Sequence, residues 1–175
     1  MTLRLLGVCA TTATVLGALV WSADAFGAAS ATFAFLAIWL TMVWVTSLSW
    51  VLPVRLPAAY RRLRPWERDG RVYRGLGVGV AKWLLRRGPL TVFNPKMRGP
   101  HGADPASRAR LEQWMSEAEA SHGVSFAVGL GVVGLDLARQ WWAAAAWALL
   151  FDVLVNGYPV ALQRYNRAWL ARDQA

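Results

Sequence analysis

The sequence predicts an all-α, polytopic membrane protein with about four transmembrane helices and a basic loop between the second and third. Three observations carry that prediction. Hydrophobic residues make up 56% of the 175-residue chain and the mean hydropathy is +0.31, well above a soluble composition. The apolar residues fall into four long runs, most of them of the ~20 residues that a helix needs to cross a bilayer. Fourteen of the nineteen Lys and Arg residues lie between Arg55 and Arg110, in the one long stretch that separates the runs. A chain of this length reads as one integral-membrane domain covering residues 1–175.

The four spans are expected at about 3–22, 29–52, 121–138 and 141–162, with residues 53–120 as the loop. The first run has a second reading. Arg4, an apolar stretch and Ala23-Asp24-Ala25 also compose a cleavable signal peptide. Either way the charge asymmetry sets the same orientation. The loop and the tail with Arg164, Arg167 and Arg172 are expected to be cytoplasmic, against a lone Arg139 on the other side. The expected location is the inner (plasma) membrane, crossed several times, with both termini cytoplasmic. Trp39, Trp44, Trp50, Trp141, Trp142 and Trp147 lie in or near span ends, as an interfacial aromatic belt does. Gly123, Ala127, Gly131 and Gly134 make a small-residue stripe that would let a neighbouring backbone approach closely.

The net charge of +9 comes with no nucleic-acid motif, so anionic lipid headgroups are the expected partners of the basic loop. The single Cys9 excludes an internal disulfide. Within the loop, Arg61, Arg62 and Arg64 precede Trp66. The run from Val78 to Leu85, closed by Arg86, Arg87, Gly88 and Pro89, is half a span long and basic at its flanks, which suits an interfacial or re-entrant helix. Gly70, Gly75, Gly77 and Gly79 lack the full dinucleotide fingerprint and any βαβ context, so a phosphate loop is not expected. Asp104 and Pro105 are a cap and a first residue for a helix through Ser121 that runs on into the third span. His101 sits in loop composition and is given no role.

Two groups of polar residues stand out. Glu119 and His122 are three apart and share a helical face, an arrangement fit for general-base chemistry, although the spacing alone favours a solvated helix end with an incidental histidine. In the last span, Asp152, Asn156, Pro159, Gln163 and Asn166 are spaced by four, three, four and three, and Arg167 extends them. At 100° per residue they occupy one stripe of about 80°. A polar stripe on a membrane helix faces the bundle interior or a wet cavity. For Asp152 and Asn156 interhelical bonding and function weigh equally; from Gln163 to Arg167 the density of polar groups favours a site. No metal-ligand spacing, nucleophile elbow or other catalytic set occurs, and no bound cofactor is expected.

The strings Asn156-Gly157-Tyr158-Pro159 and Gln163-Arg164-Tyr165-Asn166-Arg167 resemble the C-terminal signature of the glycosyl-4,4′-diaponeurosporenoate acyltransferase family of small bacterial membrane proteins. Ala118-Glu119-Ala120-Ser121-His122 resembles the family's A-E-x-x-H stretch. Trp66-Glu67, Gly70, Tyr73, Leu76-Gly77-Val78 and Trp83 resemble its central loop, so the likeness runs from about Trp66 to Leu170. The resemblance implies transfer of a fatty acyl group to a sugar hydroxyl of a glycosylated carotenoid, isoprenoid or other glycolipid, with carotenoid biosynthesis as one setting and acyl-CoA as a donor. It implies His122 as base oriented by Glu119. Asn156, Gln163, Arg164, Tyr165, Asn166, Arg167, Trp66 and Tyr73 would contact substrate. The rival reading is a non-catalytic accessory subunit, packed through its stripes against a larger membrane enzyme as its protein partner. A small transporter and another lipid transferase, such as a methyltransferase, are further alternatives.

Overall fold

The computed structural model describes residues 2–49, 51–52, 57, 60, 62–87 and 105–172. Trp50, Arg61, Gly88, Pro89, His101 and Asp104, singled out above, lie outside the described residues. The regular elements are helical: α1 (Thr2–Phe26), α2 (Ala31–Leu48), a 3₁₀ turn (Pro65–Glu67), α3 (Arg71–Gly75), α4 (Val78–Arg87), α5 (Pro105–Ala138), α6 (Trp142–Asp152), a π turn (Val153–Gly157) and α7 (Tyr158–Arg172). No strand occurs among the described residues. Four segments are long and apolar enough to cross a membrane: Thr2–Phe26, Ala31–Leu48, Ala109–Ala138 and Trp142–Arg172. The all-α, four-span class is therefore what the chain forms, with interfacial-length helices α3 and α4 in its loop. The chain divides into two compact units, Met1–Val54 with Ala120–Gly157, and Arg55–Glu119 with Tyr158–Ala175.

In the first unit, α1 carries threonines in an apolar run. The Thr11 and Thr12 hydroxyls donate to the Gly7 and Val8 carbonyls one turn back, which removes their need for water. Thr12 Oγ1 also accepts from Trp44 Nε1 at 3.0 Å, tying α1 to α2. Ser30 caps α2 by accepting from the Phe33 N–H. The helix stops at Leu48, short of the expected residue 52. Ala34 of α2, Val133 of α5, and Ala145 and Ala148 of α6 form a core, with Val132 and Phe151 against it. α5 ends where Gln140 turns left-handed and the Trp141 N–H bonds back to the Asp136 carbonyl.

The packed face of α5 in this unit is Ser125, Gly129, Val133 and Asp136, all buried. The expected small-residue stripe is a different face. A Cβ on Gly123, Gly131 or Gly134 would meet nothing within 4 Å, and Ala127 is exposed. Two residues of offset turn a helix by about 200°, which puts Ala127 on the side away from Gly129. The close approach is made at Gly129 instead, where a Cβ would collide with the Asp152 carboxylate.

In the second unit, Tyr73, Val78 and Leu162 form the core, with Tyr158, Ala161 and Tyr165 packed on it. Gly70 precedes α3 at φ +66°, a left-handed conformation, and the Tyr165 ring would lie 3.2 Å from any Cβ there. Gly77 is left-handed as well, at φ +74°, whereas a Cβ on Gly75 or Gly79 would meet nothing within 4 Å. The Tyr158 hydroxyl donates to the Leu76 carbonyl between α3 and α4. On α4, Val80 and Trp83 are exposed.

Candidate active site

The polar residues of the last span are buried as expected: Asp152 and Asn156 at 0%, Gln163 at 4% and Asn166 at 6% exposure. The stripe is not carried by a regular helix. The chain widens into a π turn over Val153–Gly157, which holds Asn156. Such turns often sit at functional positions, and a following proline, here Pro159, is a known cause of helix distortion. The stripe also divides between the units, Asp152 and Asn156 in the first, Gln163 to Arg167 in the second.

In the first unit three side chains form a hydrogen-bonded chain. Asn156 Nδ2 donates to Asp152 Oδ1 at 2.8 Å. Asn156 Oδ1 lies 3.3 Å from His122 Nδ1. His122 Nε2 makes no hydrogen bond among the described residues, and Asp152 Oδ2 and the buried Ser125 Oγ have no partner among them either. Ser125 lies three residues beyond His122 and Gly129 four beyond Ser125, so these residues project from one face of α5.

The second unit holds an ionic cluster around Arg164. Its guanidinium grips Glu67 with a fork, Nε to Oε1 and Nη2 to Oε2, the latter at 2.6 Å. Nη1 donates to Glu119 Oε1 at 3.1 Å and to the Tyr60 carbonyl at 2.9 Å, and Nη2 donates to the Arg62 carbonyl at 3.3 Å. A guanidinium has five N–H donors, and all five are thereby used. Tyr60 also stacks its ring 5.2 Å from the guanidinium carbon. Glu119 Oε2 accepts from Arg167 Nη2 at 2.6 Å, and the same nitrogen reaches Ser116 Oγ at 3.5 Å.

Glu67 is buried and ends the 3₁₀ turn, where it accepts from the Arg64 N–H at 2.7 Å and from the Tyr73 hydroxyl. Burial pushes its carboxyl up, but the bonds from Arg164, Tyr73 and Arg64 outweigh that and hold it down at about 2. Burial and the same carboxylate push the Tyr73 phenol up to about 12.

These contacts sort the expected site residues. Glu119 was expected to orient His122. Both its oxygens are instead committed to guanidinium groups, and an amide stands at His122 Nδ1. Arg164 has every donor occupied within the protein, the Tyr73 hydroxyl is bonded to Glu67, and Tyr165 packs on Gly70 with Lys82 Nζ 5.3 Å from its ring centre. Trp66 is 52% exposed, beside the Tyr73 ring. Gln163 and Asn166 differ from the rest: Gln163 Oε1 and both amide atoms of Asn166 are buried without a partner among the described residues. Glu67 and Asp152 were not assigned as site residues from the sequence. For Asp152 the signal was present, a carboxylate four residues before Asn156 in a membrane run. No group of His, Cys, Asp and Glu fit to hold a metal occurs among the described residues.

The model of one protein family, glycosyl-4,4′-diaponeurosporenoate acyltransferase, matches residues 56–173 of the chain. No curated protein and no solved structure matches it.

Proposed function

Given that the chain belongs to the glycosyl-4,4′-diaponeurosporenoate acyltransferase family, we propose that it transfers a fatty acyl group to a sugar hydroxyl of a glycosylated carotenoid, isoprenoid or related membrane glycolipid. The observation that carries this reading is the half-buried His122, whose Nδ1 faces Asn156 and whose Nε2 has no partner among the described residues. Esterification needs a base at the attacking hydroxyl. In the proposed step the hydroxyl proton passes to His122 Nε2 as the sugar oxygen attacks the acyl carbonyl. The proton then leaves with the departing thiol of an acyl thioester such as acyl-CoA. The family's activity and the four apolar helices agree with an amphipathic acceptor held in the bilayer.

Among the described residues Gln163 and Asn166 supply two unshared acceptors and one unshared donor group. Hydroxyl groups both donate and accept, so sugar hydroxyls complement such amides. The exposed arginines of the loop would attract the phosphates of the donor and anionic headgroups. With basic residues retained inside, the loop and both termini face the cytoplasm of a plasma membrane. Lipid profiling of cells with and without the chain tests the reading. One acylated glycolipid that vanishes with the gene and returns with the intact chain, but not with His122→Ala, is the expected result. An unchanged set of acyl glycolipids would contradict it.

A further inference from the structure

The Asp152–Asn156–His122 chain does more than fill the interior with bonded groups, because the two atoms at each junction are not interchangeable. Asp152 Oδ1 is an acceptor, whether or not Oδ2 carries a proton. The atom facing it at 2.8 Å is therefore the Asn156 amide nitrogen. That choice turns Asn156 Oδ1 toward His122 Nδ1 at 3.3 Å. An amide oxygen only accepts, so the hydrogen in that contact belongs to the imidazole. A neutral imidazole carries one N–H, and the other nitrogen then holds the lone pair.

The surroundings keep the amide from turning over. Asp152 and Asn156 are both fully buried. The Asp152 carboxylate is lodged against the bare backbone of Gly129, where no other residue would leave space for it. Asn156 rides in the π turn, which fixes its backbone one residue out of step with a regular helix. Gly129 and His122 belong to the same helix, α5, so one rigid element carries both ends of the chain. His122 is the group of this chain that would exchange protons with a substrate. Asp152, Asn156 and Ser125 are the polar groups around it on the packed faces of α5, α6 and the π turn.

We propose that Asp152 and Asn156 are positioning residues that hold His122 in its Nδ1-protonated tautomer, so that Nε2 is the basic nitrogen. The use of that nitrogen on a sugar hydroxyl rests on the acyl-transfer reading above; the tautomer itself does not. The arrangement differs from a carboxylate–histidine pair, since a neutral amide fixes the ring without placing a charge beside it.

The test is the ¹⁵N spectrum of histidine-labelled full-length protein in lipid nanodiscs, at an alkaline pH where imidazole is neutral. His101→Gln removes the other histidine signal. The expected spectrum has a protonated Nδ1 and an unprotonated Nε2. Asn156→Leu, which removes the acceptor, should return His122 to the Nε2–H form, while Asn156→Asp, which keeps one, should retain Nδ1–H. In a transfer assay Asn156→Leu should lower kcat about 100-fold with KM nearly unchanged, and Asn156→Asp should stay within about tenfold of the wild type. A wild-type His122 protonated on Nε2, or an Asn156→Leu spectrum identical to the wild type, would overturn the proposal even if acyl transfer is the reaction. If the spectra come out as expected and no acyl transfer is found, the relay stands and the reaction assigned to it falls.

Discussion

In the second unit every N–H of Arg164 meets an acceptor and both oxygens of Glu67 and Glu119 are taken, whereas in the first unit the Asp152–Asn156–His122 chain ends on both sides in atoms that no described residue shares. Both regions bury polar groups that an apolar chain could do without. A saturated cluster has no valence left for a substrate. A chain with an open imidazole nitrogen leaves a protein bond unmade and is fit to make it with something else. Density of polar residues in the sequence does not separate the two, but their hydrogen-bond completeness does.

If that contrast is right, the largest effect comes from cutting the cluster at its centre. Arg164→Met leaves Glu67, at 2% side-chain exposure, without the cation that grips it, and takes from the fully buried Glu119 one of its two arginines. Removing one partner of a buried pair costs about 3–5 kcal/mol, so the protein should fail to accumulate or should unfold far earlier in detergent melts. Next is Gly129→Ala. Its Cβ would run into the Asp152 carboxylate, and overpacking costs about 1–3 kcal/mol. It should both lower the melting midpoint and disturb His122, which joins a small stability loss to a larger activity loss. Gly70→Ala strains a left-handed residue and presses on Tyr165, so a loss of about 1–2 kcal/mol with activity retained per folded molecule is expected.

The smallest effect is one of pH. The Glu67 carboxyl is held at about 2 against an ordinary 4.5, so the folded state binds its proton less readily than the unfolded chain does. Its contribution is complete above 4.5 and is lost as pH falls toward 2. The melting midpoint should decline over that window, and Glu67→Gln should remove part of the decline.

The fold was legible because the length and apolarity of the spans are properties of the chain itself. The burial of Asp152, Asn156, Gln163 and Asn166 was legible for the same reason, since lipid rejects polar groups wherever the neighbouring helices lie. Which face of α5 packs was not. In a helix apolar all round, the stripe of Gly123, Ala127, Gly131 and Gly134 and the true face through Gly129 look alike. The partner of Glu119 was also hidden. Its spacing to His122 is a local fact, but the arginines it bonds are 45 and 48 residues away, and their reach depends on tertiary structure. The π turn escaped because a count at 100° per residue assumes the regular helix that it interrupts. Glu67 was visible only as part of a family pattern; its anchoring role needs the Arg164 fork.

On this reading His122 acts while the Arg164 cluster holds. The most direct measurement is the rate of acyl transfer per folded molecule in membranes containing His122→Gln, taken together with its melting midpoint. A rate about 10²–10⁴-fold below wild type, at a midpoint shifted by no more than a few degrees, is expected. A His122→Gln protein that transfers acyl groups at the wild-type rate would contradict it.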